Sequence, residues 1–256
     1  VISKLKPKSQ LFAWLSVMDL NSNNIFFSQD NFAGRVYHNL TTMKKEIRSR
    51  VKYKGKDLKT MDVTKSHPTQ QGILQLEKPR IITSLLPSNV NIVCGDDVEV
   101  YLNDIAEKKI LAKFSANLSR VNNGIKYHYE KEHGEPFDIN DEVVQKRMLL
   151  RAFNESMTSD IGNILNSLYP SVYETLYNIK QRVNKQDRGK IFARIHQEAE
   201  RIVIVDKCCL PLSKMFCAIP IHDSITTTGE NVEEVMDKMK NKYWQLMNFI
   251  PQIHFE

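Results

Sequence analysis

Cysteine is scarce and wrongly spaced for a metal scaffold: Cys94, Cys208, Cys209 and Cys217 include no Cys-x-x-Cys and no Cys/His pattern with zinc spacing. A zinc ribbon and a disulfide-stapled mini-domain are therefore excluded. The four thiols read as buried apolar side chains of a protein in a reducing compartment such as the cytoplasm. Long hydrophobic runs are also missing. The longest uncharged stretch, Ile81–Gly95, has 15 residues and contains Ser84, Pro87, Ser88, Asn89 and Asn91, too short and too polar to span a bilayer. The apolar stretch Leu11–Met18 follows a basic start, but Asp19 and several asparagines stand where a signal peptide has its small-residue cleavage site, so it reads as a core helix. Glycine and proline number only nine each and no repeat occurs, which removes collagen-like and low-complexity classes.

What is present is an ordinary globular composition, 41% hydrophobic and 26% charged over 256 residues, enough for one large domain or two intimate ones. The charge is unevenly placed. Residues 1–60 hold twelve Lys and Arg against four Asp and Glu, a net +8, whereas the remaining residues sum to −2. A polyanion would be drawn to that first quarter, although a solvated basic face has the same composition.

The pattern of elements is mixed. Ser9–Asp19 has the composition of a helix; Gly34–Asn39, Ser49–Tyr53 and Leu58–Val63 read as strands, the last two joined by a turn at Lys54-Gly55-Lys56-Asp57. Helical periodicity covers Asp96–Leu111, Asp141–Met157 behind an Asn140/Asp141 cap, Tyr169–Val183 and Ile191–Leu210. Met215–Ile221 and Ile225–Thr228 flank His222-Asp223-Ser224 as a hairpin, followed by a helix, Val232–Leu246, and a short strand, Gln252–Phe255. The fold class is α+β, with a division into 1–60, 61–140, 141–190 and 191–256.

Four constellations can carry chemistry. Asp62 ends an apolar strand, and Asp223 follows another; acids so placed are costly to bury unless they are solvated or bind a cation, and singly each reads as a turn residue. Lys146, Arg147 and Arg151 share one side of a helix, which can grip a triphosphate or stand in water. Gly34-Arg35-Val36-Tyr37 pairs a glycine that permits close backbone approach with an arginine able to clamp phosphate. Gly95-Asp96-Asp97 reads as a helix N-terminus or as the hairpin metal signature of an RNA-dependent RNA polymerase. His128 and His133, five apart, read as surface residues.

Gly34-Arg35-Val36-Tyr37, Asp62-x-x-x-Ser66, Lys146-Arg147 on a helix and His222-Asp223-Ser224 resemble, in order, the motifs of the single-subunit phage and mitochondrial RNA polymerases, relatives of the family A DNA polymerases. Tyr169-Pro170-x-Val172 is similar to a segment of the DNA polymerase branch. The resemblance runs from about residue 30 to the end. It implies a right-hand polymerase palm, an antiparallel sheet with helices, plus helical fingers, with the thumb largely absent. It further implies that Asp62 and Asp223, with the carbonyl of Val63, bind two Mg²⁺ ions, for which Mn²⁺ can substitute. By the same resemblance Lys146 meets the phosphates of the incoming nucleoside triphosphate, with Arg147 and Arg151 on the same face. Arg35, with Gly34 and Tyr37, holds the backbone of a DNA template and its RNA product, and His222 sits against the terminal nucleotide. The partners implied are those nucleic acids, nucleoside triphosphates and a second subunit supplying the parts of a polymerase that 256 residues do not provide; no membrane partner is implied. Glu142 and the pair Asn154-Glu155 stand where the family has an arginine and a Tyr-Gly pair.

Three readings stay open: a DNA-directed RNA polymerase core, a family A type DNA polymerase, and a polymerase-like nucleic-acid-binding subunit without turnover. All three place the affinity in residues 1–60. Binding of single-stranded or duplex DNA is expected to weaken steeply as salt is raised. Neutralising lysines in that segment is expected to flatten the log Kd against log salt plot by about one unit for each phosphate no longer neutralised.

Overall fold

The computed structural model describes residues 2, 7–63, 66–118, 123–155, 157 and 159–255; Lys4 and Lys6 of the basic segment, and the side chain of Lys8, lie outside the described residues. The chain divides into two compact units, Val1–Ser66 with Gln197–Glu256, and His67–His196.

The first unit carries the strands: β1 (Phe27–Gln29), β2 (Val36–His38), β3 (Lys52–Tyr53), β4 (Lys56–Val63), β5 (Ala218–Ile221), β6 (Ser224–Thr228) and β7 (Ile253–Phe255). β1 and β2 form a small antiparallel pair, and the main sheet runs β3-β4-β6-β5 with β7 on β4. Lys54 and Gly55, both at positive φ, make the two-residue turn between β3 and β4 that suits the twist of a hairpin. Alternation sets the register of the centre: Met61, Val63 and Ile225 are buried, and Met61 stands opposite Ile225. Because side chains alternate, a slip by one residue would turn this apolar set outward and drive Asp62 into the core. The hydroxyls of Thr60 and Thr226 join β4 to β6 at 2.8 Å. The Val232–Met247 helix lies against β4 and β6 and buries Val235, Met239, Tyr243 and Met247, one residue per turn.

Two sequence expectations in this unit are corrected. The Pro7–Asn21 helix forms where expected, but it is not a core helix. Of its described side chains only Ala13 is buried, among Leu40, Met43, Ile47 and Ile221, while Leu11, Phe12, Trp14, Leu15 and Met18 are exposed. The second concerns Ile191–Leu210, which is an α-helix only over Ile191–Glu200 and continues as a π-helix over Arg201–Cys209. Buried positions advance as 199/200, 203/204, then 208/209, so the wider turn inserts one residue into the stripe and brings Cys208 and Cys209 inward. Cys94, by contrast, is exposed and Cys217 half-buried, against the expectation that all four thiols are buried.

The second unit, over its described residues, is helical. Val144, Met148, Leu149, Ala152 and Phe153 of the Glu142–Asn154 helix pack into a core with Val98, Tyr101, Phe114, Leu165 and Phe192. The Phe153 and Phe192 rings stack at 4.7 Å. Asp141 caps the helix by accepting from the Val143 N–H at 2.7 Å, as its position predicts. The expected Asp96–Leu111 helix is broken at Lys108, which has φ +60, into Asp97–Ala106 and Ile110–Leu118. Gly95-Asp96-Asp97 opens the first of these and tips no hairpin; Asp97 accepts from the Ser171 N–H at 2.9 Å. That overturns the RNA-dependent polymerase reading of the tripeptide. No described helix is long and apolar enough to cross a membrane.

One glycine matters for the site. Gly34 has φ +69, and a Cβ there would lie 2.8 Å from Cδ of Arg201 on the π-helix. Gly34→Ala is therefore expected to destabilise the protein by about 1–3 kcal/mol, read as a lowered thermal midpoint, whereas Gly55→Ala, with open space around it, is expected to cost less.

Candidate active site

Ile221 pairs with Ser224, so His222 and Asp223 form the whole connection between β5 and β6, with His222 at φ +55. Asp62 of β4 stands opposite Ser224, the residue after Asp223. Two acids 161 positions apart are thus brought together by the register that buries Met61 and Ile225.

Their proximity is electrostatically unfavourable. Burial, then repulsion from Glu200 and Asp62, pushes the Asp223 carboxyl up to about 8, against the pull of its own backbone N–H and of Arg35. Glu200 ends the Ile191–Glu200 helix with its side chain only 3% exposed, and Arg35 meets it at 3.3 Å. Tyr243 lies in the same field: burial, then Glu200 and Asp223, raise its hydroxyl far above the usual tyrosine range.

The glycine-arginine segment docks on this hairpin through several contacts. Asp30 accepts from the N–H groups of Phe32, Ala33 and Gly34 at 2.8–3.0 Å. Burial pushes the Asp30 carboxyl up, but these N–H groups outweigh it and hold the pKa low. The loop so formed aims Arg35 at Glu200. On β2, the Tyr37 ring meets the His222 ring edge-on at 5.9 Å, and His38 Nε2 bonds the carbonyl of Pro220 at 2.8 Å. Burial, then Arg35, lower the His222 pKa, with Glu200 opposing and Arg48 and His38 adding to the fall.

The structure therefore places Gly34, Arg35, Tyr37, Asp62, Val63, His222 and Asp223 in one unit. Lys146, Arg147 and Arg151 lie in the other, each beside a carboxylate. Lys146 meets Glu142 at 2.7 Å, Arg147 meets Glu135 at 2.9 Å and the Tyr129 hydroxyl at 2.7 Å, and Arg151 pairs with Glu155. His128 is exposed and His133 half-buried on the Asn123–His133 helix.

Sequence reasoning missed Glu200 and His254. Glu200 had a signal: it occupies an apolar-register position of its helix, in step with Ile191, Phe192, Ile195, Ala199, Val203 and Ile204. A carboxylate there is buried, and a buried carboxylate needs a partner. His254 had none, since only pairing of β7 with β4 brings it to Asp62.

Among the described residues no group of three or more His, Cys, Asp or Glu side chains forms a metal cage. The donor chemistry nevertheless suits hard cations that take their remaining ligands from substrate and water: Asp62, Asp223 and the Val63 carbonyl are all oxygen donors. Arg35 leaves the Asp223 carboxylate undercompensated, and a divalent ion would reverse the penalty.

No protein-family model matches the chain, and no curated protein does. Among solved structures the chain is similar to the polymerase domain of Pol1 from M. smegmatis in complex with DNA primer-template and dNTP, with a TM-score of 0.50 and 10% sequence identity. The match covers 97% of this chain and 50% of that chain. The fold is that of a polymerase domain. It combines a palm, the antiparallel sheet with its helices, and helical fingers. At 10% identity the likeness is one of fold, and the chain spans half the length of its neighbour.

The raised Asp223 pKa has a sign that can be checked. Between about pH 4 and pH 8 the native state holds a proton that the unfolded chain has released, so stability falls as pH rises through that window. Asp223→Asn is expected to raise the thermal midpoint at pH 8, by the equivalent of about 1–3 kcal/mol, with the gain shrinking towards pH 4 in a series of melts.

Proposed function

We propose that this chain is the catalytic core of a template-directed nucleotidyltransferase, a DNA-dependent RNA polymerase that adds ribonucleotides to a growing RNA. The observation that carries the reading is the pairing of Asp62 with the residue beside Asp223, which joins the first aspartate motif to the His-Asp-Ser hairpin in a palm sheet. The Asp62-x-x-x-Ser66 and His222-Asp223-Ser224 forms favour the RNA polymerase branch. A DNA polymerase of the family A type is the neighbouring alternative, since the similar solved domain is one bound to dNTP.

In this reading Asp62, Asp223 and the Val63 carbonyl hold two Mg²⁺ ions, which supply acidity for the attacking 3′-hydroxyl and charge neutralisation for pyrophosphate. The remaining work belongs to the chain itself. Arg35, fixed by the Gly34 loop and by Glu200, presents a guanidinium to the template-product backbone. His222, held at the hairpin tip against Tyr37, packs on the terminal nucleotide. Lys146 takes the triphosphate. Its exposed pair with Glu142 is worth no more than about 1 kcal/mol, so a triphosphate outcompetes the carboxylate. Arg147 and Arg151 give weaker help from the same helix. In this reading a second subunit supplies parts of a polymerase for which these residues have no counterpart, the match covering 50% of the similar chain.

A second reading, a nucleic-acid-binding subunit without turnover, has one observation in its favour. Two of the three residues that depart from the fingers motif, Glu142 and Glu155, are the carboxylates that pair with Lys146 and Arg151.

Primer extension and transcription of single-stranded DNA with Mg²⁺, run in parallel with ribo- and deoxyribonucleotides, separate these readings. Asp62→Asn and Asp223→Asn are each expected to lower the rate by at least about 100-fold while leaving DNA binding intact. Undiminished activity in either variant would overturn the assignment, and binding without synthesis in the native protein would support the second reading.

A further inference from the structure

We propose that His254, delivered by the C-terminal strand β7, is a positioning residue for Asp62. The inference rests on the polymerase reading and concerns a residue that no sequence motif marks. β4 is paired along both edges at this point: Asp62 stands opposite Ser224 on β6 and opposite His254 on β7. Directly opposed residues of an antiparallel pair project from the same face, and His254 Nε2 lies 3.4 Å from Asp62 Oδ2.

The short strand is not explained by burial. Its three side chains are intermediate, exposed and exposed in order, and Phe255, two residues from Ile253, is 55% exposed. What β7 delivers to the sheet is an imidazole at the edge of a carboxylate. The two acids are in fact held by different means. Asp223 is set by a two-residue turn, is largely enclosed and has Arg35 nearby, whereas Asp62 faces the repulsion of Asp223 on one side. A donor on the other side, engaging one carboxylate oxygen, limits rotation of the group and holds its orientation for an incoming cation. Partners of this kind commonly alter metal affinity by about 10- to 100-fold. A bare surface ion pair, the rival account of the same contact, would add little to stability and do nothing to cation binding.

The experiment uses the full chain and two readouts: Mn²⁺ binding by calorimetry, and the Mg²⁺ concentration giving half-maximal primer extension. His254→Ala is expected to weaken Mn²⁺ binding and raise the Mg²⁺ midpoint by about 10-fold or more, with DNA affinity and thermal midpoint nearly unchanged. His254→Gln, which keeps a side-chain N–H donor, is expected to restore most of both. Native cation binding in His254→Ala would overturn the proposal and leave the polymerase reading standing. Equal losses in the Ala and Gln variants would overturn the donor role. A native protein that neither binds Mn²⁺ nor requires a divalent cation would remove the polymerase reading, and this proposal with it.

Discussion

The close approach of like charges at the end of β4 and the tip of the β5–β6 hairpin is the constraint around which the palm is arranged. The register of β4 on β6 brings Asp62 and Asp223 together, setting Met61 opposite Ile225 in the core and Asp62 opposite Ser224. Glu200 adds a third negative charge from the end of a helix. Each of these groups would be more stable elsewhere, and the surrounding elements read as responses to that conflict.

Arg35 is the clearest response. It reaches Glu200 only because Gly34 adopts a positive φ and tolerates the side chain of Arg201 at a distance no Cβ could. The loop is in turn tied by three N–H groups to Asp30, and β2 is anchored to the hairpin by His38 and Tyr37. The π-helix belongs to the same set. It begins at Arg201, directly after Glu200, and Arg201 pairs with Asp206 five residues on, a spacing that the wider turn brings onto one face. The compensation remains incomplete, since burial, Glu200 and Asp62 together raise the Asp223 pKa against the pull of Arg35.

Much of the arrangement was legible beforehand. The alternation around Leu58–Val63, the turn signal at Lys54-Gly55-Lys56-Asp57 and the break at His222-Asp223-Ser224 locate strands and hairpins through local preference, and the structure tightens both turns to two residues, Lys54-Gly55 and His222-Asp223. Asp141 marks a helix start because a short acid accepting backbone N–H groups does so in almost any context. Leu11–Met18 misled for a reason of the same kind: apolar composition states what a segment would gain by burial, and not whether the fold supplies a surface to bury it against. The Ile191–Leu210 helix misled because an inserted π-turn shifts phase by one residue and leaves composition unchanged.

The sequence by itself determined most of the strands and helix starts, the type of chemistry its acids and bases could perform, and the order in which the motifs occur, since these follow from local backbone preference and side-chain ionisation. Only the tertiary structure decided which of those groups share an electric field. Asp223 reaches a pKa near 8 because Glu200, 23 residues upstream, and Asp62, 161 residues upstream, surround it in a place where water is largely excluded. His254 meets Asp62 only because a three-residue strand near the end of the chain pairs with β4. Burial and Coulomb energy depend on distance in space, and distance along the chain does not encode it.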